Sequence, residues 1–224
     1  MQSVDYSFWA KYISEIHTTI GKPTDVALEI AAGNCKLAEN IENQFAKFYL
    51  SDFSLEMLKM NKSKYPTVCC DMSELPFKRL FDFIFTTFDS INYLNTEDRL
   101  LKSLNELREI LSKDGLFLFD ASLKHNSMKH LRKLNRSGKY NGLEYVQKSE
   151  FDEVENLHIN TVRIKTLDGK LYKEVHKQKI YDFYYYFEAL ELTGFYVLEC
   201  FDAFTFDDGT PDSDRVQFVV KRNK

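Results

Sequence analysis

Cysteine is scarce in this chain, and its pattern excludes a good deal. There are four, Cys35, Cys69, Cys70 and Cys200, and none form a Cys-x-x-Cys pair. The adjacent Cys69 and Cys70 point to opposite faces of any strand, which makes a poor chelate. All four read as reduced thiols packing as small apolar side chains, which fits a cytoplasmic location. Long apolar runs are also missing. None approaches the ~18 residues of a membrane span, and the N-terminus lacks a basic-then-apolar signal, so neither membrane contact nor export is expected. Positive charge is not in excess either: 30 Lys and Arg stand against 34 Asp and Glu, a net charge of −4. That disfavours a surface built on phosphate contacts, and nucleic acid is not expected as a partner. The one basic stretch, Lys124 to Lys139, reads as a solvated helix face. No Gly-x-Gly-x-x-Gly comes after the first apolar run, which removes the dinucleotide fingerprint. No repeat, linker or low-complexity tract is present, and no metal-ligand set stands out.

What is there alternates. Residues 6–20 read as a helix, with Phe8, Tyr12, Ile13 and Ile16 at helical spacing. Residues 26–30 form a short apolar run after Gly21 and Pro23, the mark of a buried strand. A helix begins at about Lys36, then come a strand at 48–50 and a helix from the cap Ser54 through Lys64. Residues 67–70 and 81–87 are further strands. Thr96 caps a helix carrying Leu100, Leu101, Leu104, Leu107 and Leu111, which the Asp114-Gly115 turn ends, and 116–119 is a fifth strand. Five apolar strands alternating with helices predict an α/β fold, a doubly wound and mostly parallel sheet. Residues 140–181 break the alternation. Three polar-alternating runs, 143–152, 157–167 and 170–181, with an Asp168-Gly169 turn, predict a small antiparallel β meander inserted after strand 5. A helix over 182–192 and strands at 196–201 and 215–221 close a seven-stranded sheet. The expected organisation is one domain over 1–224, with a core at 1–122, a cover at 140–181 and closing elements at 182–224.

In such a sheet, ligands bind beyond the carboxyl ends of the strands, at the switch point. Four of these ends carry informative residues. Glu29 ends the first strand and leads into Ala31-Ala32-Gly33-Asn34. Asp52 comes after the second, Asp71 and Met72 after the third, and Phe88-Asp89-Ser90 after the fourth. An acid about 20 residues past the first turn sits where its oxygens accept both hydroxyls of a ribose. An acid after the third strand suits an adenine amino group, with the next backbone N–H donating to the ring. Small residues in the first turn let the backbone approach a ligand. The competing role of Asp52 and Asp71 is to cap the turns on their C-terminal side.

The segments ALEIAAGNCKLA, YLSDFSLEMLKM, VCCDMSELPF, FDFIFTTFDSINYL and LREILSKDGLFLFD, in this order, resemble the five core motifs of class I S-adenosylmethionine (SAM)-dependent methyltransferases. The resemblance covers 26–120 and continues more weakly through EVHKQKIY and the C-terminal DAFTFDDGTPDSDRVQFVVKR. The pattern is similar to a bacterial group of small methyltransferases related to antibiotic-sugar N-methyltransferases. It implies a Rossmann-like seven-stranded fold, SAM as cofactor with S-adenosylhomocysteine as product, and no metal. It places Glu29, Ala31 and Gly33 at the methionine end, Asp52 on the ribose, Phe53 on adenine, Asp71 and Met72 at the adenine edge, and Phe88 on the methionine side, with Asn92 and Tyr93 nearby. Two departures stand out. The family turn Gly-x-Gly-x-Gly has Ala31 and Cys35 at its first and third positions; alanine fits if its φ stays negative, and cysteine adds bulk. The family also carries further residues before the first helix that help to lid the site, and here residues 4–9 match the family segment on the C-terminal side of that lid.

The resemblance implies methyl transfer to nitrogen or oxygen of a small polar acceptor. An amine nucleophile must only be neutral, whereas a hydroxyl needs a base. His176, on the meander that the resemblance puts over the acceptor, is the best titratable candidate, with Tyr93 and Tyr181 beside it. A solvated strand histidine and a buried Trp9 are the plain alternatives. No Asn-Pro-Pro-Tyr-like motif or catalytic cysteine pattern supports an RNA methyltransferase; a SAM-binding protein without turnover is the other rival. The expected assembly is a monomer or homodimer.

Overall fold

The computed structural model describes residues 4–41 and 44–223. The elements run α1 (Tyr6–Ile20), β1 (Val26–Ile30), α2 (Lys36–Asn40), β2 (Lys47–Asp52), α3 (Leu55–Leu58), β3 (Thr67–Cys69), β4 (Phe81–Thr86), a 3-10 turn (Ser90–Tyr93), α4 (Glu97–Ile110) and β5 (Leu111–Ser122). The chain continues through α5 (Lys124–Lys133), β6 (Arg136–Tyr140), β7 (Leu143–Asp152), β8 (Leu157–Lys165), β9 (Leu171–Lys179), α6 (Phe183–Leu192), β10 (Phe195–Asp202) and β11 (Arg215–Arg222).

The apolar runs assemble as their burial demands. The main sheet has the order β10-β11-β5-β4-β1-β2-β3. Its first five strands pair in parallel, and β11 joins antiparallel to β5 and β10. Helices cover both faces. Leu100, Leu104 and Leu107 of α4, with Tyr186 and Leu190 of α6, pack on Leu28, Ile84, Phe117 and Phe218. On the other side Trp9, Ile13 and Ile16 of α1 meet Ala27, Phe83, Phe85 and Leu118. Each such leucine or isoleucine contributes roughly 1.5–3 kcal/mol by leaving water. The chain order reverses between β1 and β4, which makes the carboxyl end of that pair the switch point. No helix among the described residues is long and apolar enough to cross a membrane.

Three expectations need correction. The helix after Ser54 spans only Leu55–Leu58 rather than reaching Lys64. Asn61 takes the Ser63 N–H and donates to the Tyr65 carbonyl, and such local side-chain bonds compete with helix continuation. Asp114-Gly115 does not end a helix: Phe81 pairs with Leu111 and Phe83 with Leu116, so the dipeptide lies within a register shift of β5. The antiparallel unit has four strands, in the order β6-β7-β8-β9, not three. The extra strand comes from the tail of the basic stretch. It turns into β7 at Asn141-Gly142, both at positive φ (48° and 78°), as a two-residue hairpin requires.

The second sheet meets the first at the segment after β4. Gln178 donates to the Asp89 carbonyl (3.4 Å), Asn92 to the Lys179 carbonyl (2.8 Å), and Tyr93 shares a hydrogen bond with His176 (2.9 Å). This places β9 beside the carboxyl ends of the main-sheet strands.

Candidate active site

A cavity of about 510 Å³ opens at those strand ends, with Ala31, Gly33, Asp52, Asp71, Tyr93 and His176 among its lining residues. The turn after β1 forms one wall. Ala31, Gly33 and Cys35 all take left-handed φ, at 56°, 56° and 63°. The condition set for an alanine here, a negative φ, is therefore not met. An L-residue in that region is strained by about 1–2 kcal/mol. The turn is held by Ala32 N–H on the Ser51 carbonyl, Cys35 N–H on the Ala32 carbonyl and Gly33 N–H on Asp52 Oδ2 (2.7 Å). Glu29 lies beneath this turn, 1% exposed, and its Oε2 has no partner. Burial, and then the nearby Asp52, push its carboxyl well above the ordinary range.

Asp52 ends β2 with both oxygens on backbone donors, Gly33 N–H and Ser54 N–H, each at 2.7 Å. Each oxygen keeps a lone pair for a ligand. The capping role thus leaves both oxygens able to accept from a ligand. Phe53 is 76% exposed at the cavity wall. Asp71 accepts from Ser73 N–H and Oγ through Oδ1 and from Arg99 Nη2 (2.7 Å) through Oδ2. Burial raises its pKa, but these donors outweigh it and hold the carboxyl below its usual range. Met72 lies alongside, its carbonyl tied to Ser103 Oγ.

At the other end, Tyr93 and His176 face each other, from the turn after β4 and from β9. His176 Nδ1 is 2.9 Å from the phenol oxygen, and Nε2 is 3.6 Å from Glu174 Oε2. Burial, with Asp89 and Glu174 nearby, pushes the phenol up to about 12, so it stays protonated.

Four expected site residues do not line the cavity: the buried Glu29, and Asn92, Tyr181 and Phe88. Asn92 is fully buried; its amide donates to Ser122, Lys179 and Tyr186, and its carbonyl accepts from Ser122 N–H, so it locks the turn to both sheets. Tyr181 is 5% exposed and donates to the Leu94 carbonyl. Phe88 packs on Trp9 (4.4 Å) and Tyr6 (5.7 Å) behind the site, and Trp9 itself is core. Arg99 and Glu174 carry no signal in the sequence. Arg99 lies 28 residues from Asp71 with no motif linking them, and Glu174 gains meaning only through its sheet neighbour His176.

The donor set suits SAM. Acidic acceptors stand at three consecutive strand ends, matching a ligand with an ammonium, ribose hydroxyls and an adenine amino group. The Glu29 oxygen left without a partner among the described residues would suit the ammonium.

Comparison with known proteins agrees. The methyltransferase domain family matches residues 28–119. "Putative methyltransferase YqeM" of Bacillus subtilis is 24% identical over 100% of this chain and 93% of its own. A SAM-dependent methyltransferase structure from Clostridium acetobutylicum superposes with a TM-score of 0.87 at 25% identity, covering 99% of this chain and 94% of that one. The sugar N-methyltransferase KedS8 from a Streptoalloteichus species shares the fold, with a TM-score of 0.79 at 16% identity, covering 100% and 90%.

Proposed function

We propose that this chain is a class I SAM-dependent methyltransferase that methylates nitrogen or oxygen of a small polar acceptor held between the SAM cavity and the second sheet. The observation that carries the reading is the Tyr93–His176 pair, which joins the turn after β4 to the second sheet at the cavity wall. Bound there, SAM supplies an activated methyl on a sulfonium. The protein aligns the acceptor with it and excludes water, and such positioning can contribute several kcal/mol.

The second sheet supports a polar acceptor. By register, Ser149, Asn160 and His176 stand side by side on one face, next to the row Gln147, Val162 and Glu174. Gln147 donates to Asn160 Oδ1 (3.2 Å), so this face is knit by amide hydrogen bonds. Its buried part satisfies itself, with Ser149 Oγ on His158 Nε2 (2.8 Å), and His176 is the residue of this sheet that reaches the cavity lining. For a hydroxyl acceptor the imidazole takes the proton. Its position between the phenol of Tyr93 and the carboxylate of Glu174 lets a proton gained at the cavity side leave toward solvent. For a neutral amine no base is required, and positioning suffices.

The reading is tested by incubating the protein with methyl-labelled SAM and a metabolite extract. Label should enter a small, polar product. Label confined to protein or nucleic acid would refute the small-molecule assignment.

A further inference from the structure

The loop Asp71–Leu75 is gripped by one stripe of α4. Arg99 binds Asp71, Lys102 binds Glu74 (2.6 Å), Ser103 binds the Met72 carbonyl (2.9 Å), and Glu106 takes the Leu75 N–H (3.1 Å). Positions 99, 102, 103 and 106 share one helix face. Of these four, only Arg99 also lines the cavity. One of its terminal nitrogens is spent on Asp71, and its guanidinium has no other acceptor among the described residues. Met72 N–H, beside it, likewise has no acceptor among them.

Donor, acceptor and donor therefore meet at one wall: Met72 N–H, the Asp71 carboxylate and the Arg99 guanidinium. The edge of adenine presents the complementary series. Its N1 accepts, its amino group donates and its N7 accepts. Resting on the SAM reading above, we infer that Arg99 is a specificity residue for the cofactor, donating to adenine N7 while its other arm holds Asp71 on the amino group. The geometry needs an arginine, because a guanidinium can hold a carboxylate and reach a second acceptor at once, whereas an ammonium is a single point donor.

The test measures affinity and needs no methyl acceptor. S-adenosylhomocysteine and its 7-deaza analogue, with CH in place of N7, are titrated against wild type, Arg99→Met and Lys102→Met. Wild type should prefer the natural compound by about tenfold, the range for a partly exposed charge-assisted hydrogen bond. Arg99→Met should bind both compounds equally. Lys102→Met, which removes an ion pair from the same loop outside the cavity, should keep the preference, so loosening of the loop is separated from the loss of a contact. Equal binding of both compounds by wild type, or a preference surviving in Arg99→Met, overturns the inference and leaves Arg99 as a support for Asp71. If wild type binds neither compound, the SAM reading itself falls, and this inference with it.

Discussion

The two sheets bury opposite things. In the main sheet the middles of the central strands are apolar: Phe83, Ile84 and Phe85 of β4 and Phe117 and Leu118 of β5 have no measurable exposure. In the second sheet, strands alternate, and one face carries the polar Ser149, Asn160, His176 and Glu174, of which His176 lines the cavity. A parallel sheet with helices on both faces gains its stability from burial and can host polar groups only at strand ends. An antiparallel cover needs only one packed face and can present the other to a ligand. On the proposed function, cofactor binding rests on turns at the ends of a rigid sheet, and the acceptor on side chains at the edge of a less buried one.

That division can be broken by substitution. The largest effect should come from the second sheet. With a hydroxyl acceptor, His176→Asn should lower turnover by about 10²–10⁴ and leave SAM affinity unchanged in titration calorimetry; a matching loss of SAM affinity would make the two sheets one binding unit. Next, Asp52→Ala in the main sheet should weaken SAM by about 1.5–3 kcal/mol, and Gln147→Ala in the second sheet should not change it. Equal effects would erase the comparison.

Glu29→Gln should separate stability from binding. Because the folded carboxyl titrates above its unfolded value, the folded chain holds the extra proton. Stability is thus lost as pH rises from the ordinary carboxylate range, about 4.3 for glutamate, toward the folded value. The glutamine variant should therefore unfold at higher denaturant than wild type at neutral pH, by about 1–2 kcal/mol, with the gap closing near pH 4. The same variant should bind SAM more weakly. A wild type more stable than the variant at neutral pH would show that Glu29 is not a strained, uncompensated acid. The smallest effect is Ala31→Gly, which relieves a left-handed alanine and should add about 0.5–1 kcal/mol to the unfolding free energy; a loss on thermal melting would mean that the alanine methyl packs usefully.

Much of this is legible in the sequence because it is local. Apolar runs, the caps Ser54 and Thr96, and the acids after β1, β2 and β3 depend on neighbours along the chain. The rest depends on packing. Asn92 and Tyr93 are adjacent and look alike as candidates, yet the 3-10 turn buries one and lines the cavity with the other. Tyr181 groups with His176 by sequence, but it lies beyond the end of β9, where its hydroxyl is drawn to the Leu94 carbonyl. Arg99 is an ordinary surface arginine in the first turn of a helix until α4 docks on the Asp71 loop. Nor does composition reveal that Ala31 and Cys35 accept glycine's backbone geometry; the bonds that Ala32 N–H and Gly33 N–H donate to Ser51 and Asp52 are tertiary.

The division of labour is tested most directly by a crystal structure of the complex with S-adenosylhomocysteine. The account predicts ribose hydroxyls on Asp52, the amino group near Glu29, and the sulfur turned toward Tyr93 and His176. A product bound outside this cavity, or with its sulfur turned away from the second sheet, would contradict it.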